Sequence, residues 1–304
     1  MYLEHFELKE LPFTITPDTE FFMNRAGYQD ALNVLLVAIR SGEGFVKVTG
    51  EVGVGKTLLC RKLIKSLGES FVSAYIHNPY LKPSMLLFAI ADELGVNYAA
   101  SENQHGLQKL IMKRLLEIHG GGKGVVLCLD EVQAMPVQTL ECLRLITNIE
   151  TEKRKLIQVV LFGQPELDLL LDQPSVRQLK QRITFTYHLM PLSRAALNSY
   201  VRHRLAVAGY TGRDLFSSDA MDALFRASRG IPRLINVLSH KALMVAYGRG
   251  DDVIRSKHVH IAARDSAEAK SVGGPAFLPS GWLRWLAGVF GALLVAAVMT
   301  RLGS

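Results

Sequence analysis

The chain has 304 residues, 49% of them hydrophobic, with 35 lysines and arginines against 28 aspartates and glutamates and a formal charge of +7. That much apolar material buries a sizeable core and excludes intrinsic disorder. The 25 glycines and 11 prolines follow no fixed period, which excludes collagen-like, solenoid and low-complexity architectures and leaves one or two globular domains.

Met1 to Leu11 carries Glu4, Glu7 and Glu10 where a secretory leader needs a basic start and an apolar run, so no leader is expected. Over residues 1–190, short apolar or β-branched runs alternate with amphipathic stretches, the pattern of a parallel sheet covered by helices. The expected strands are Phe45–Thr49, Phe71–Ile76, Val125–Asp130, Ile157–Phe162 and Ile183–His188. Helical periodicity runs over Gln29–Arg40, Lys56–Leu67, Pro83–Leu94, Gly106–Ile118 and Val137–Ile149, and through Pro165–Lys180. After Pro191 strand signals stop, and helices are expected at Arg194–Val207, Asp219–Ala227, Pro232–Tyr247 and Ser256–Ala263. The fold class read from this order is α/β over residues 1–190, with a small helical domain over 191–265. Gly273, Gly274, Pro275, Pro279 and Gly281 then break regular structure within a linker, residues 266–281.

Residues 282–300 carry a single charge, Arg284, and nineteen helical residues span roughly 28 Å, close to a bilayer's hydrocarbon thickness. Trp282 and Trp285 stand where an interfacial aromatic belt would put them. The segment is expected to be a transmembrane helix near the chain's end; a buried helix of the same composition is the alternative. Residues 1–190 hold 20 basic and 21 acidic residues, whereas residues 191–270 hold 13 and 7. A basic segment before a span places the bulk of the protein in the cytoplasm by the positive-inside rule. The same charge would also suit anionic lipid, nucleic acid or a solvated helical face.

The strongest motif is Gly50-Glu51-Val52-Gly53-Val54-Gly55-Lys56-Thr57, a G-x-x-x-x-G-K-T phosphate loop between an expected strand and an expected helix. Glycines let backbone N–H groups turn inward around phosphates, and the helix start adds its positive dipole end. Gly50 through Thr57, with Leu58, are therefore the expected nucleotide-binding residues, Lys56 reaching the β- and γ-phosphates and Thr57 a magnesium ion. About 75 residues later, an apolar run ends in Asp130-Glu131. Asp130 suits the metal's coordination shell, and Glu131 suits activation of the attacking water, which argues for hydrolysis rather than static binding. No Asn-Lys-x-Asp tetrapeptide reads guanine, so the expected ligands are ATP and Mg2+.

Cys60, Cys128 and Cys142 are odd in number and lie in apolar runs without metal-like spacing, so neither a disulfide framework nor a zinc site is expected. His258 and His260 would not align on one helix face, so no histidine metal site is expected either.

The phosphate loop, the Asp-Glu strand end and the helical appendix together resemble an AAA+ ATPase. Leu11-Pro12-Phe13, Thr16-Pro17-Asp18, Gly50–Thr57 and Leu161-Phe162-Gly163-Gln164-Pro165-Glu166-Leu167 resemble the ExeA/GspA secretion ATPases, and among them the MSHA pilus-biogenesis members. The resemblance covers about residues 1–265 and departs at the end, where ExeA-type proteins continue into a periplasmic peptidoglycan-binding part. It implies that Gln164 senses the γ-phosphate or the water, that Arg182 is an arginine finger offered to a neighbouring subunit with Arg177 as the rival, and that Arg233 is a lid-domain sensor. A cation in the first helical turn beside Pro232 faces the positive end of the helix, which points to a nearby anion. The resemblance also gives Asn78 a switch role toward Glu131, although Asn-Pro is a common turn.

The resulting expectation is a P-loop ATPase anchored in the bacterial inner membrane, forming homo-oligomers with shared ATP sites and serving pilus or secretion assembly proteins. The competing expectation is a DNA-binding regulatory ATPase of the transposition-helper type, which a membrane tether disfavours.

Overall fold

The computed structural model describes residues 2–15, 26–77, 80–147 and 155–266. Five strands, β1 (Phe45–Thr49), β2 (Phe71–Ile76), β3 (Gly124–Leu129), β4 (Gln158–Gly163) and β5 (Ile183–His188), form one parallel sheet in the order β2-β3-β4-β1-β5. The helices are α1 (Tyr2–His5), α2 (Ala26–Arg40), α3 (Lys56–Leu67), α4 (Pro83–Glu93), α5 (Gln104–Gly120), α6 (Val137–Ile146), α7 (Glu166–Leu171), α8 (Arg177–Lys180), α9 (Arg194–Val207), α10 (Ser218–Ser228), α11 (Pro232–Tyr247) and α12 (Ser256–Arg264).

The sheet is covered on both faces, which is why its inner strands read as unbroken apolar runs rather than alternating ones. In β3, Val125, Leu127 and Leu129 point to the face packed by α4, α5, α6 and α7, while Val126 and Cys128 point to the face packed by α2 and α3. The pleat's two-residue period thus splits one hydrophobic run between two cores. A third core lies among α9–α12, built from Leu197, Leu224, Leu238, Val259 and their neighbours. Tyr2, Phe6, Leu8 and Phe13 from the amino-terminal segment are buried in this third core, not against the sheet.

Most expected elements are present within a few residues of their expected ends. The stretch Pro165–Lys180 is not the single helix that its periodicity predicts. It divides into α7, a 3-10 turn at Pro174–Val176 and α8. Pro174 lacks an N–H and forces Gln173 out of the helical region, to φ −64° and ψ 139°. Helix α6 ends at Ile146, three residues short of the expected Ile149, and Thr147 caps it. The expected membrane span at residues 282–300 lies outside the described residues, together with residues 267–281 of the linker before it and Asn78. Among the described residues no helix is long and apolar enough to cross a membrane.

Candidate functional site

In parallel sheets, ligands bind beyond the carboxyl ends of the strands, where neighbouring connections leave for opposite faces. Here α3 follows β1 onto one face and α7 follows β4 onto the other. The crevice between them collects Gly50 after β1, Asp130 after β3, Gln164 after β4 and His188 at the end of β5.

The loop from Gly50 to Gly55 turns through two left-handed glycines, Gly53 at φ 79° and Gly55 at φ 103°. A Cβ on Gly55 would stand 1.7 Å from the Tyr28 hydroxyl, which donates to the Val54 carbonyl and clamps the loop onto α2. Helix α3 opens directly after Gly55, so its first N–H groups, which have no acceptor within the helix, face the cradle. Lys56 is buried, and its ammonium donates to the carbonyls of Gly50 at 2.8 Å and Glu51 at 3.1 Å. Burial pushes its pKa below the usual lysine value, against the upward pull of Glu131, Asp130, Glu51 and Glu166. A desolvated ammonium beside inward-facing amides is a fitting partner for a polyphosphate.

Opposite the loop, the Thr57 hydroxyl donates to Asp130 Oδ2 at 2.6 Å. The Glu131 N–H donates to Asp130 Oδ1 at 3.0 Å. Burial, the largest influence on Asp130, raises its pKa above the usual carboxylate value, with the Thr57 and Glu131 hydrogen bonds acting in the other direction. A buried carboxylate whose charge is costly, adjoining a hydroxyl, is the donor set that magnesium uses when phosphates and water complete its shell. Among the described residues no cluster of three or more His, Cys, Asp or Glu side chains could hold a metal without such help.

Glu131 takes a left-handed conformation, φ 53° and ψ 36°, which costs a non-glycine residue roughly 1–2 kcal/mol. Such strain persists only where the surroundings hold it and is frequent at functional sites. The Gln164 side-chain amide donates to Glu131 Oε2 at 2.9 Å, so the residue expected at the fourth strand's end does reach the expected base. Gln133 also donates to Oε2, at 2.6 Å; the motifs do not single it out, although it falls two residues beyond Glu131 on the same turn.

Arg233 is brought to the loop from the helical unit. Its N–H donates to the Gly53 carbonyl at 3.2 Å, and a Cβ on Gly53 would stand 2.6 Å from the Arg233 Cβ. Gly230, at φ 76°, lies so close to Leu192 that a Cβ there would meet the Leu192 carbonyl at 2.0 Å, which seats the start of α11 against the strand-to-helix connection. Arg182 is not brought together with these residues. Arg182 precedes β5, whose first residue is level with the start of β1, so it lies at the opposite end of the sheet from the crevice. The separation along a five-residue strand is roughly 13 Å or more.

Residues 39–171 match the AAA domain family. The chain is 40% identical over 296 residues to general secretion pathway protein A of Aeromonas hydrophila, a match covering 94% of this chain and 54% of that protein. The chain thus spans about half the length of the curated relative it matches. Its fold is similar to that of Cdc6p from Pyrobaculum aerophilum, with a TM-score of 0.62 and 17% identity over 85% of this chain and 74% of the other. It is also similar to the Aeropyrum pernix ORC1 protein in its complex with DNA, with a TM-score of 0.61 and 20% identity over 84% and 69%.

Proposed function

We propose that the chain, which is similar to the AAA domain family and to general secretion pathway protein A, binds ATP with magnesium in the crevice and hydrolyses it in support of a secretion or pilus assembly machine. The observation that carries the reading is the convergence at the strand ends. A Thr57–Asp130 pair, a buried Lys56 and a carboxylate steadied by Gln164 stand around one glycine-lined cradle. Bound magnesium would offset negative charge on the phosphates. Lys56 and the amides of the loop hold the phosphate chain, Thr57 and Asp130 hold the metal, and Glu131 accepts a proton from water oriented by Gln164.

The contact between Gly53 and Arg233 supports a lid role for residues 191–265, because the loop that would seat a nucleotide is hydrogen-bonded to the start of α11. Arg182 is too far along the sheet to serve its own crevice, and Arg182, or Arg177 in its place, suits that of a neighbouring protomer in a homo-oligomer with shared sites. The segment over residues 282–300 supports anchoring in the inner membrane, and the resemblance favours the MSHA pilus system.

The reading is tested by phosphate release from the full-length protein. Lys56→Ala should lose nucleotide binding, and Glu131→Gln should bind ATP while losing turnover by roughly 100-fold or more. Unchanged phosphate release in Glu131→Gln would remove the assignment. Crosslinking with mass spectrometry in native membranes tests the partner class.

The excess positive charge of residues 191–270 is the observation that favours the DNA-binding alternative. Arg194 pairs with Asp222, Arg202 with Asp214, Lys241 with Asp265 and Lys257 with Asp251, and these pairs leave the net excess unchanged. Tight duplex binding with a steep salt dependence would promote that alternative over the secretion reading.

A further inference from the structure

Gln133 lies half-buried in a 3-10 turn, Val132–Ala134, directly after Glu131. It uses both ends of its amide. Nε2 donates to Glu131 Oε2 at 2.6 Å, and Oε1 accepts the backbone N–H of Gln164 at 2.9 Å. These partners fix the orientation of the group: turned over, the amide would set oxygen against carboxylate oxygen and NH2 against a backbone N–H.

The Glu131 oxygen that receives Gln133 also receives the Gln164 side chain at 2.9 Å. Two donors, one from the turn after β3 and one from the end of β4, therefore fill the two acceptor directions of Oε2. The described residues supply Oε1 with no partner. A Cβ on Gly163 would stand 3.3 Å from Gln133 Oε1, so the bare backbone there helps to admit the bridge.

We propose that Gln133 is a positioning residue for the hydrolytic step: it holds Oε2 so that Oε1 is presented to the attacking water, and it joins Glu131 and Gln164 into one unit. The inference rests on the ATPase reading above. Two amide bonds on one oxygen restrict rotation of the carboxylate about its terminal torsion, which is otherwise broad. Gln133 meets only Glu131 and Gln164 in this network, so its removal acts on orientation and not on the nucleotide cradle.

The test measures kcat, KM and the dissociation constant for a fluorescent ATP analogue on the full-length protein. Gln133→Ala should lower kcat by roughly 10- to 100-fold, the scale of a misplaced reacting group, with nucleotide affinity kept within about twofold. Gln133→Glu keeps the side chain's length but sets an acceptor and a negative charge beside Glu131, so its loss should exceed that of Gln133→Ala. A role in packing alone would reverse the ranking and leave Gln133→Glu near wild type. Should Gln133→Ala fail to fold, Gln133→Met keeps the length, lacks the donor, and carries the same expected loss. A kcat within twofold of wild type in the folded variant, or Gln133→Glu milder than Gln133→Ala, overturns the inference while leaving the ATPase reading in place. A Glu131→Gln variant with undiminished turnover overturns both.

Discussion

Replacing Gly53 by alanine probes a place where the phosphate loop touches the helical unit. Two costs are expected, and they separate. A left-handed φ of 79° costs alanine about 1–2 kcal/mol, partly offset by roughly 0.4–1 kcal/mol from a less flexible unfolded chain. The new methyl would also stand 2.6 Å from the Arg233 Cβ and 3.3 Å from the Ile231 Cγ2, whereas carbon atoms prefer about 3.5–4.0 Å. Relieving the first contact moves the start of α11 by about 1 Å, breaks the Arg233–Gly53 backbone bond, and should add roughly 1–3 kcal/mol, the usual range for overpacking. Gly42 supplies the control, because its φ of 81° is nearly the same and a Cβ there meets nothing within 4 Å. Thermal unfolding of the nucleotide-free protein by circular dichroism should therefore show a small loss for Gly42→Ala and a clearly larger one for Gly53→Ala. At roughly 2–4 °C per kcal/mol, the difference is several degrees. Equal losses would show that the loop and α11 are not in contact and would refute the reasoning.

Further expectations concern charge and docking. Burial raises the folded pKa of Asp130 above its unfolded value, so the stability it contributes is present below the unfolded pKa and is lost as pH rises through the folded one. Asp130→Asn should lack that decline and be the more stable nucleotide-free protein at neutral pH, yet gain nothing from magnesium and ATP; parallel urea midpoints for both proteins from pH 4 to 8 would contradict this. Arg204 is 6% exposed and donates to the Pro12 carbonyl and the Tyr200 hydroxyl, fixing the amino-terminal segment to the helical core. Arg204→Ala should cost about 2–4 kcal/mol and raise hydrogen exchange over residues 2–14, and unchanged protection there would sink the docking.

The sheet, the phosphate loop and the Asp130-Glu131 pair were legible because each is a contiguous stretch whose chemistry depends on its own neighbours. Strand β3 could be recognised from six consecutive residues, and the loop from eight. The break at Pro174 was less legible, since the periodicity of Leu167, Leu171 and Leu179 continues across it while one missing N–H interrupts the helix. Gln133 carries no signal of its own: a glutamine on a turn becomes informative only once Gln164, thirty-one residues away, is placed beside it.

By itself the amino-acid sequence determined where most strands and helices lie and which residues are expected to hold a phosphate chain, because hydrophobic period and glycine spacing act over a few residues. The tertiary structure alone decided that Arg182 stands at the opposite end of the sheet from its own crevice, that Tyr2, Phe6, Leu8 and Phe13 belong to the helical core, and that α11 leans on Gly53. Those placements depend on strand order and on contacts between residues as much as two hundred positions apart, such as Arg204 with Pro12. No local pattern encodes such distances; only the packing of three separate cores brings the residues together.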